Sequence, residues 1–379
     1  MLREELIAAA TTVVVKVGTR VLTDEQGALD LERVASIAEQ LAIATDAGRR
    51  IALVSSGAVG AGIGRLGLSR RPTDLAELQA AAAVGQSRLI EVYNQSLEKH
   101  GRHAAQVLLT ADDLNQRDRY LNIRNTLHEL FRFGAVPIVN ENDTVRVDEL
   151  QRNVGDNDRL AALVANLLPA PLLVLLSDIE GLYDGDPTLE QSKVIAEVEG
   201  IDDSVLGLVN KSGARSMALS TGGMASKLEA ARIATTAGAD VVVANGRRPG
   251  VLVDILAGQA VGTLFRSQGA PMNGRKRWIG WTADSAGRLV LDAGAIAAIK
   301  QGGNSLLSVG ILAARGDFGK GDVVSLVDES GAEIARGLTN YRLAEVVQIL
   351  GQPTDAIADI LGHKPYEEVV HCDNLALTQ

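Results

Sequence analysis

VVVKVGTR, Val13 to Arg20, is the stretch on which the fold turns. Val13, Val14, Val15 and Val17 make a short, continuous β-branched run. Such a run reads as a strand buried on both faces, as in a parallel sheet. Lys16 interrupts it one residue from its end. A lysine inside a buried strand is costly unless an anion meets its ammonium. Gly18 ends the strand and, lacking a Cβ, lets backbone amides approach a ligand closely. Lys-x-Gly at the C-terminal end of a first strand therefore points to phosphate. On this stretch alone the competing reading is a lysine snorkelling out of a strand end.

Outward from this strand, elements alternate. Leu31, Val34, Ile37 and Leu41 mark one face of a helix that ends near Gly48. IALVSS (51–56) is a second buried strand, running into the glycine-rich GAVGAGIGRLG (57–67). Residues 74–100 are helical, 104–110 a strand, 119–133 helical and 135–143 a strand. Residues 144–154 read as a hairpin or ordered loop, and Asp156 as the cap of a helix through Leu168. PLLVLLSD (171–178) is a buried strand, Thr221 to Gly238 a glycine-led helix, and 239–246 a further strand. The alternation predicts an α/β domain: a mainly parallel open sheet sandwiched by helices. Ligands gather at the carboxyl ends of strands in such sheets, which is where Lys16-Val-Gly, Ser55-Ser56-Gly57, Asn140 to Asp143 and Ser177-Asp178 all fall.

The pattern changes at SQGAPMNGRK (267–276), which reads as a linker. The expected organisation is a first domain over 1–266, a linker over 267–276, and a small β-rich domain with its tail over 277–379. The chain has 379 residues, enough for two cores, with 46% hydrophobic, 22% charged and only 3% aromatic residues. A net charge of −10 disfavours non-specific nucleic-acid binding. One cysteine, Cys372, excludes an internal disulfide and fits a reducing compartment. MLREELIAAATT is not read as a signal peptide, and no apolar run approaches the ~18 residues of a membrane span. A cytoplasmic location is expected.

The motifs narrow the chemistry. Gly62-x-Gly64-x-x-Gly67 formally matches a dinucleotide fingerprint, but the strand stops near Ser56, too early for it. Ser56, Gly57 and the amides that follow read better as an anion or carboxylate cradle; the alternative is glycine required by packing. TGGMASK (221–227) puts bare amides and Lys227 at a helix start, where a lysine is normally unfavourable and an anion is attracted. The alternative there is a solvent-exposed lysine. NEND (140–143) and GDND (155–158) cluster carboxylates and amides that need cations nearby: Mg²⁺, the two lysines or a substrate ammonium. Turn and capping chemistry is the other reading. Two lysines, a glycine cradle, acidic groups and no evident nucleophile fit phosphoryl transfer. A carboxylate acceptor, ionised at neutral pH, needs no general base.

At this point VVVKVGTRVLT, VSSGAVGAG, AAVGQSRLI, VNENDTV, VGDNDRLAALVA, LLSDIEGLY and STGGMASKLEAA together resemble the bacterial glutamate 5-kinases of the amino-acid kinase superfamily. NGRKRWIGW and RGDFGKGDVV resemble the PUA domain that ends the longer members. The resemblance implies the amino-acid kinase fold, and ATP-dependent phosphorylation of the γ-carboxylate of L-glutamate, the first step of proline biosynthesis. It implies that Lys16 and Lys227 stabilise the transferring phosphoryl group and that Asp158 orients them. Ser56, Gly57, Asp143 and Asn157 would hold glutamate. Lys16, Gly18, Ser177, Asp178, Thr221, Gly222, Gly223, Met224, Ala225, Ser226 and Lys227 would line the ATP site. Mg²⁺ would be held mainly by the ATP phosphates, with no direct protein ligand. The resemblance also implies proline as feedback inhibitor, a homo-oligomer (dimer or tetramer), and hand-off of product to glutamyl phosphate reductase. The rivals are a kinase of another small carboxylate or carbamate, and an RNA-binding regulator acting through the C-terminal domain. Arg275, Lys276, Arg277, Trp278 and Trp281 form a basic–aromatic cluster suited to single strands. Against it, residues 267–379 hold ten Lys and Arg but thirteen Asp and Glu, a poor footprint for RNA.

Overall fold

The computed structural model describes residues 3–24, 26–145, 157–211, 223–267 and 274–378. The expected hairpin over 144–154 beyond Val145, the Asp156 cap, Thr221, Gly222 and most of the expected linker lie outside the described residues. The chain divides into two compact units, Met1–Ala270 and Pro271–Gln379.

The first unit is an eight-stranded sheet. Its strands are β1 (Thr12–Val17), β2 (Arg50–Ser55), β3 (Ala104–Leu109), β4 (Val136–Glu141), β5 (Leu172–Ser177), β6 (Glu197–Val198), β7 (Asp240–Asn245) and β8 (Thr263–Phe265). They run in the order β3-β4-β2-β1-β5-β7-β8-β6. All neighbours are parallel except β7 and β8, which pair antiparallel. The valine run explains why β1 is central: Thr12 to Val17 are all buried, with β2 on one side and β5 on the other. Chain order reverses across β1. Open α/β sheets bind ligands at the carboxyl ends of strands where chain order reverses, which here are the ends of β1, β2 and β5.

Helices cover both faces, and their bounds follow from caps. Leu31–Asp46 starts on Asp30, which accepts from the amides of Glu32 and Arg33. Leu75–Glu98 starts on Asp74 in the same way. The glycine-rich segment after Ser56 is mostly helical. Gly57 takes a left-handed φ of 105°, and Ala58–Leu66 is a helix that Gly67, also left-handed, stops. A Cβ on Gly62 would fall 1.8 Å from Ala81 O, and one on Gly85 1.8 Å from Ala58 O. The helices Ala58–Leu66 and Leu75–Glu98 thus cross in backbone contact, and glycine at both positions is a packing requirement. Strands β6 and β8 were not legible, being two and three residues long.

The second unit is a five-stranded sheet of β9 (Gly287–Leu291), β10 (Ile311–Gly316), β11 (Val323–Val327), β12 (Glu333–Thr339) and β13 (Val370–Leu377), ordered β10-β9-β11-β12-β13. Only the β9–β11 pairing is parallel. Its core includes Leu289, Leu326, Tyr341 and Val370. Gly274–Arg277 is helical and continues into a π-type turn, Trp278–Thr282. Arg277 and Trp278 are buried, whereas Arg275 is exposed and Lys276 and Trp281 are half-buried, so of the two tryptophan rings Trp278 is withdrawn from base stacking. Among the described residues no helix is long and apolar enough to cross a membrane.

Candidate active site

Four strand ends build the site. Lys16, the fifth residue of β1, sends its ammonium to Asp158, with Nζ 2.5 Å from Oδ1. Asp158 stands in the first turn of the helix Asn157–Leu167, where the positive end of the helix dipole favours a carboxylate. Lys227 reaches the same carboxylate from the first turn of the helix Met224–Thr236, with Nζ 3.3 Å from Oδ2. Ser226 Oγ donates to Oδ2 at 3.0 Å and also lies 2.9 Å from Gly223 O. Lys16, Asp158 and Lys227 are 6%, 1% and 4% exposed. Burial alone would raise the pKa of Asp158; the two lysines outweigh it and hold the group below the usual carboxylate range. Burial lowers the pKa of Lys227, the attraction of Asp158 opposes this, and the like charge of Lys16 adds to the lowering. Two ammoniums thus share one carboxylate, leaving a buried site one positive charge in excess.

Gly18 follows the last residue of β1, as expected of the glycine that ends the strand. Its N–H is donated to Leu176 O at 3.0 Å. A Cβ there would lie 3.6 Å from Lys16 Nζ, so glycine keeps the space beside the ammonium open. At the end of β5, Ser177 Oγ donates to Asp178 Oδ1 at 3.1 Å, and Arg20 Nη1 donates to Asp178 Oδ2 at 3.0 Å. Burial would raise the pKa of Asp178, but Arg20 and Ser177 bring it down. Asp178 also lies close enough to Lys227 to favour its charge. Gly223, Met224, Ala225 and Ser226 form the N-cap and first turn leading to Lys227, and Gly223 O accepts from the amides of Ser226 and Lys227.

On the other side of β1, β2 ends in Ser55-Ser56-Gly57. The first amides of the helix Ala58–Leu66 have no intrahelical partner and no side-chain cap. Ser56 Oγ accepts from Asn157 Nδ2 at 2.8 Å. Asn157 neighbours Asp158 on one helix, which joins this pole of the site to the lysine pole. Asn157 Oδ1 is buried and has no hydrogen-bond partner among the described residues. Asp143 follows β4; burial pushes its carboxyl up to about 6, against the pull of Arg71. The structure thus gathers the described candidates at one end of the sheet. Reading the sequence did not single out Gln86, Asn140 or Arg71. Gln86 carries a signal, because it sits on the apolar face of its helix between Ala82 and Leu89.

Two buried ammoniums on one carboxylate, at the carboxyl end of a parallel strand and beside a helix start, can stabilise the negative charge of a transferring phosphoryl group. The amino acid kinase family matches residues 11–245 and the PUA domain residues 287–361. The glutamate 5-kinase of Rhodopirellula baltica is 50% identical over 99% of this chain and 96% of its own. That of Thermoanaerobacter sp. is 45% identical over 97% of this chain and 98% of its own. Among solved structures, carbamate kinase from Giardia lamblia bound to AMP-PNP is similar over 69% of this chain and 100% of that one, at 18% identity and a TM-score of 0.49. The chain belongs to the amino acid kinase family and, within it, to the glutamate 5-kinases.

Proposed function

We propose that the protein transfers the γ-phosphoryl group of ATP to the γ-carboxylate of L-glutamate, giving γ-glutamyl phosphate and ADP, the first step of proline biosynthesis. The observation that carries this reading is the single carboxylate of Asp158 shared by Lys16 and Lys227. Its surplus positive charge, out of water, suits the charge that gathers on a phosphoryl group in flight. A glutamate γ-carboxylate oxygen attacks the γ-phosphorus in line, and the bond to the β–γ bridging oxygen breaks with its electron pair leaving on ADP. The acceptor is already anionic, so no side chain need take a proton. The protein's share is positioning and charge neutralisation.

Ser56, Gly57 and the helix start behind them hold a carboxylate of glutamate, while Asp143 and Asn157 Oδ1 accept from its ammonium. Gly18, Ser177, Asp178 and Thr221 to Ser226 line the nucleotide site. The phosphate donor is MgATP. Asp158 is paired with two lysines and Asp178 with Arg20; Mg²⁺ would be held mainly by the ATP phosphates and would neutralise their charge. Residues 1–266 carry both substrate sites, and the PUA-like unit is an appendage to them. Proline, an amino acid with the same α-carboxylate and a ring ammonium, competes for the glutamate pole. The acyl phosphate product is reactive, which favours hand-off to a reductase, and the protein works as a cytoplasmic homo-oligomer.

The test is ADP release with glutamate, aspartate, N-acetylglutamate and no amino acid. Turnover with glutamate alone is expected. Preference for N-acetylglutamate, which lacks the ammonium, overturns the assignment of Asp143 and Asn157 and the substrate with it.

A further inference from the structure

Two backbone groups identify the atoms that Asn140 and Asn157 present to them. Glu141 N–H can only donate, and it meets Asn140 at 2.9 Å, so the atom there is Oδ1. Ser55 C=O can only accept, and it lies 3.4 Å from Asn157, so that atom is Nδ2. The rest follows. Asn157 Nδ2 donates to Asn140 Oδ1 at 3.0 Å and to Ser56 Oγ at 2.8 Å. Asn140 therefore turns Nδ2 away, toward Gln86, and donates to Oε1 at 3.3 Å. Gln86, Asn140 and Asn157 are 8%, 4% and 4% exposed, so water competes poorly for these bonds. The relay has one consequence at the site: Asn157 must present Oδ1, the buried acceptor that has no partner among the described residues.

Gln86 reaches this chain from a different layer of the molecule. It follows Gly85 on the helix Leu75–Glu98, at the backbone contact with Ala58–Leu66. A polar side chain on this buried face gains nothing from packing; its carbonyl is what Asn140 Nδ2 needs.

We propose that Gln86 is a positioning residue for the amino-acid substrate. Through Asn140 it braces Asn157, together with Ser55 C=O, in the orientation that offers an acceptor to an ammonium, without itself touching the reacting groups. This rests on the reading of the site as a glutamate site. The test compares Gln86→Met, which keeps the length and loses the acceptor, with Gln86→Glu, which keeps an acceptor oxygen in either protonation state. KM for glutamate, KM for MgATP, kcat and the thermal midpoint are measured on the full chain. Leaving a buried donor unpaired is expected to raise KM for glutamate about tenfold in Gln86→Met, with kcat and KM for MgATP within about threefold of wild type. Gln86→Glu is expected to recover most of that loss. A Gln86→Met enzyme with unchanged KM for glutamate overturns the proposal. So does a loss spread equally over both substrates, or a Gln86→Glu variant no better than Gln86→Met. A wild-type protein that ignores glutamate removes the functional reading and this proposal together, whereas failure of the variants alone removes only this proposal.

Discussion

Replacing Lys227 by Met separates a catalytic lysine from a structural one. Lys227 Nζ lies 3.3 Å from Asp158, worth ~5 kcal/mol of attraction at an effective dielectric of about 20. Its pKa is nevertheless lowered, so burial, joined by repulsion from Lys16, outweighs that attraction. Removing one partner of a buried pair usually costs ~3–5 kcal/mol because the other charge is stranded. Here Asp158 keeps Lys16 at 2.5 Å and Ser226 at 3.0 Å, so nothing is stranded. Met also keeps most of the apolar stem. The nucleotide-free variant is therefore expected to be as stable as the wild type or more so, by up to ~1 kcal/mol. Turnover should fall about 10²–10³-fold or further, the loss of one preorganised charge at the transferring group. Stability also has a pH signature. The folded state binds the Lys227 proton less tightly than the unfolded state, whose pKa is near 10.5. Wild-type stability therefore rises with pH between the folded pKa and that value, and the advantage of the variant shrinks. Urea unfolding without nucleotide and coupled ADP release measure both quantities. A Lys227→Met protein destabilised by several kcal/mol yet still turning over near the wild-type rate would refute the reasoning.

Other outcomes can be checked alongside. Asp143→Asn should raise KM for glutamate about 10- to 100-fold through loss of a charge-assisted hydrogen bond, and leave KM for ATP alone. In the wild type, glutamate affinity should fall as pH drops through about 6, where Asp143 takes up a proton, and initial-rate series should find that dependence missing in the variant. Gly62→Ala places a Cβ 1.8 Å from Ala81 O and should cost ~1–3 kcal/mol or more by overpacking, read as a lowered thermal midpoint. A chain ending at Ala270 should still release ADP in response to glutamate; a folded but inactive product would move part of the site into the second unit.

The strand ends were legible because a buried strand announces itself locally. Val13 to Val17 could hardly be anything else, and a lysine within that run asked for a partner. The identity of the partner was less local: Lys16 and Lys227 meet on Asp158 across 142 and 69 positions, and it was the motif resemblance, more than periodicity or composition, that named it. Ser226 read as part of a glycine-led helix start lining the ATP site; that its hydroxyl also supports the shared carboxylate was not read. The glycines of 57–67 left two readings open, a carboxylate cradle and a packing requirement, and the structure shows the second at Gly62. Spacing alone does not tell a loop that cradles anions from a helix whose glycines let another helix touch its backbone. Asn140 stood in plain view within NEND, but its value lies in which end of its amide faces inward. That polarity depends on Glu141 N–H and Ser55 C=O, which composition and periodicity do not report.

The reversal of chain order at β1 divides labour along the polypeptide. Under the proposed reading, what grips the amino acid is encoded between residues 56 and 157, and most of what grips the nucleotide after residue 176. Only β1 and the helix carrying Asn157 and Asp158 answer to both. Choice of acceptor can therefore drift in the earlier half while the phosphate-handling apparatus stays untouched, provided those two shared elements keep their register.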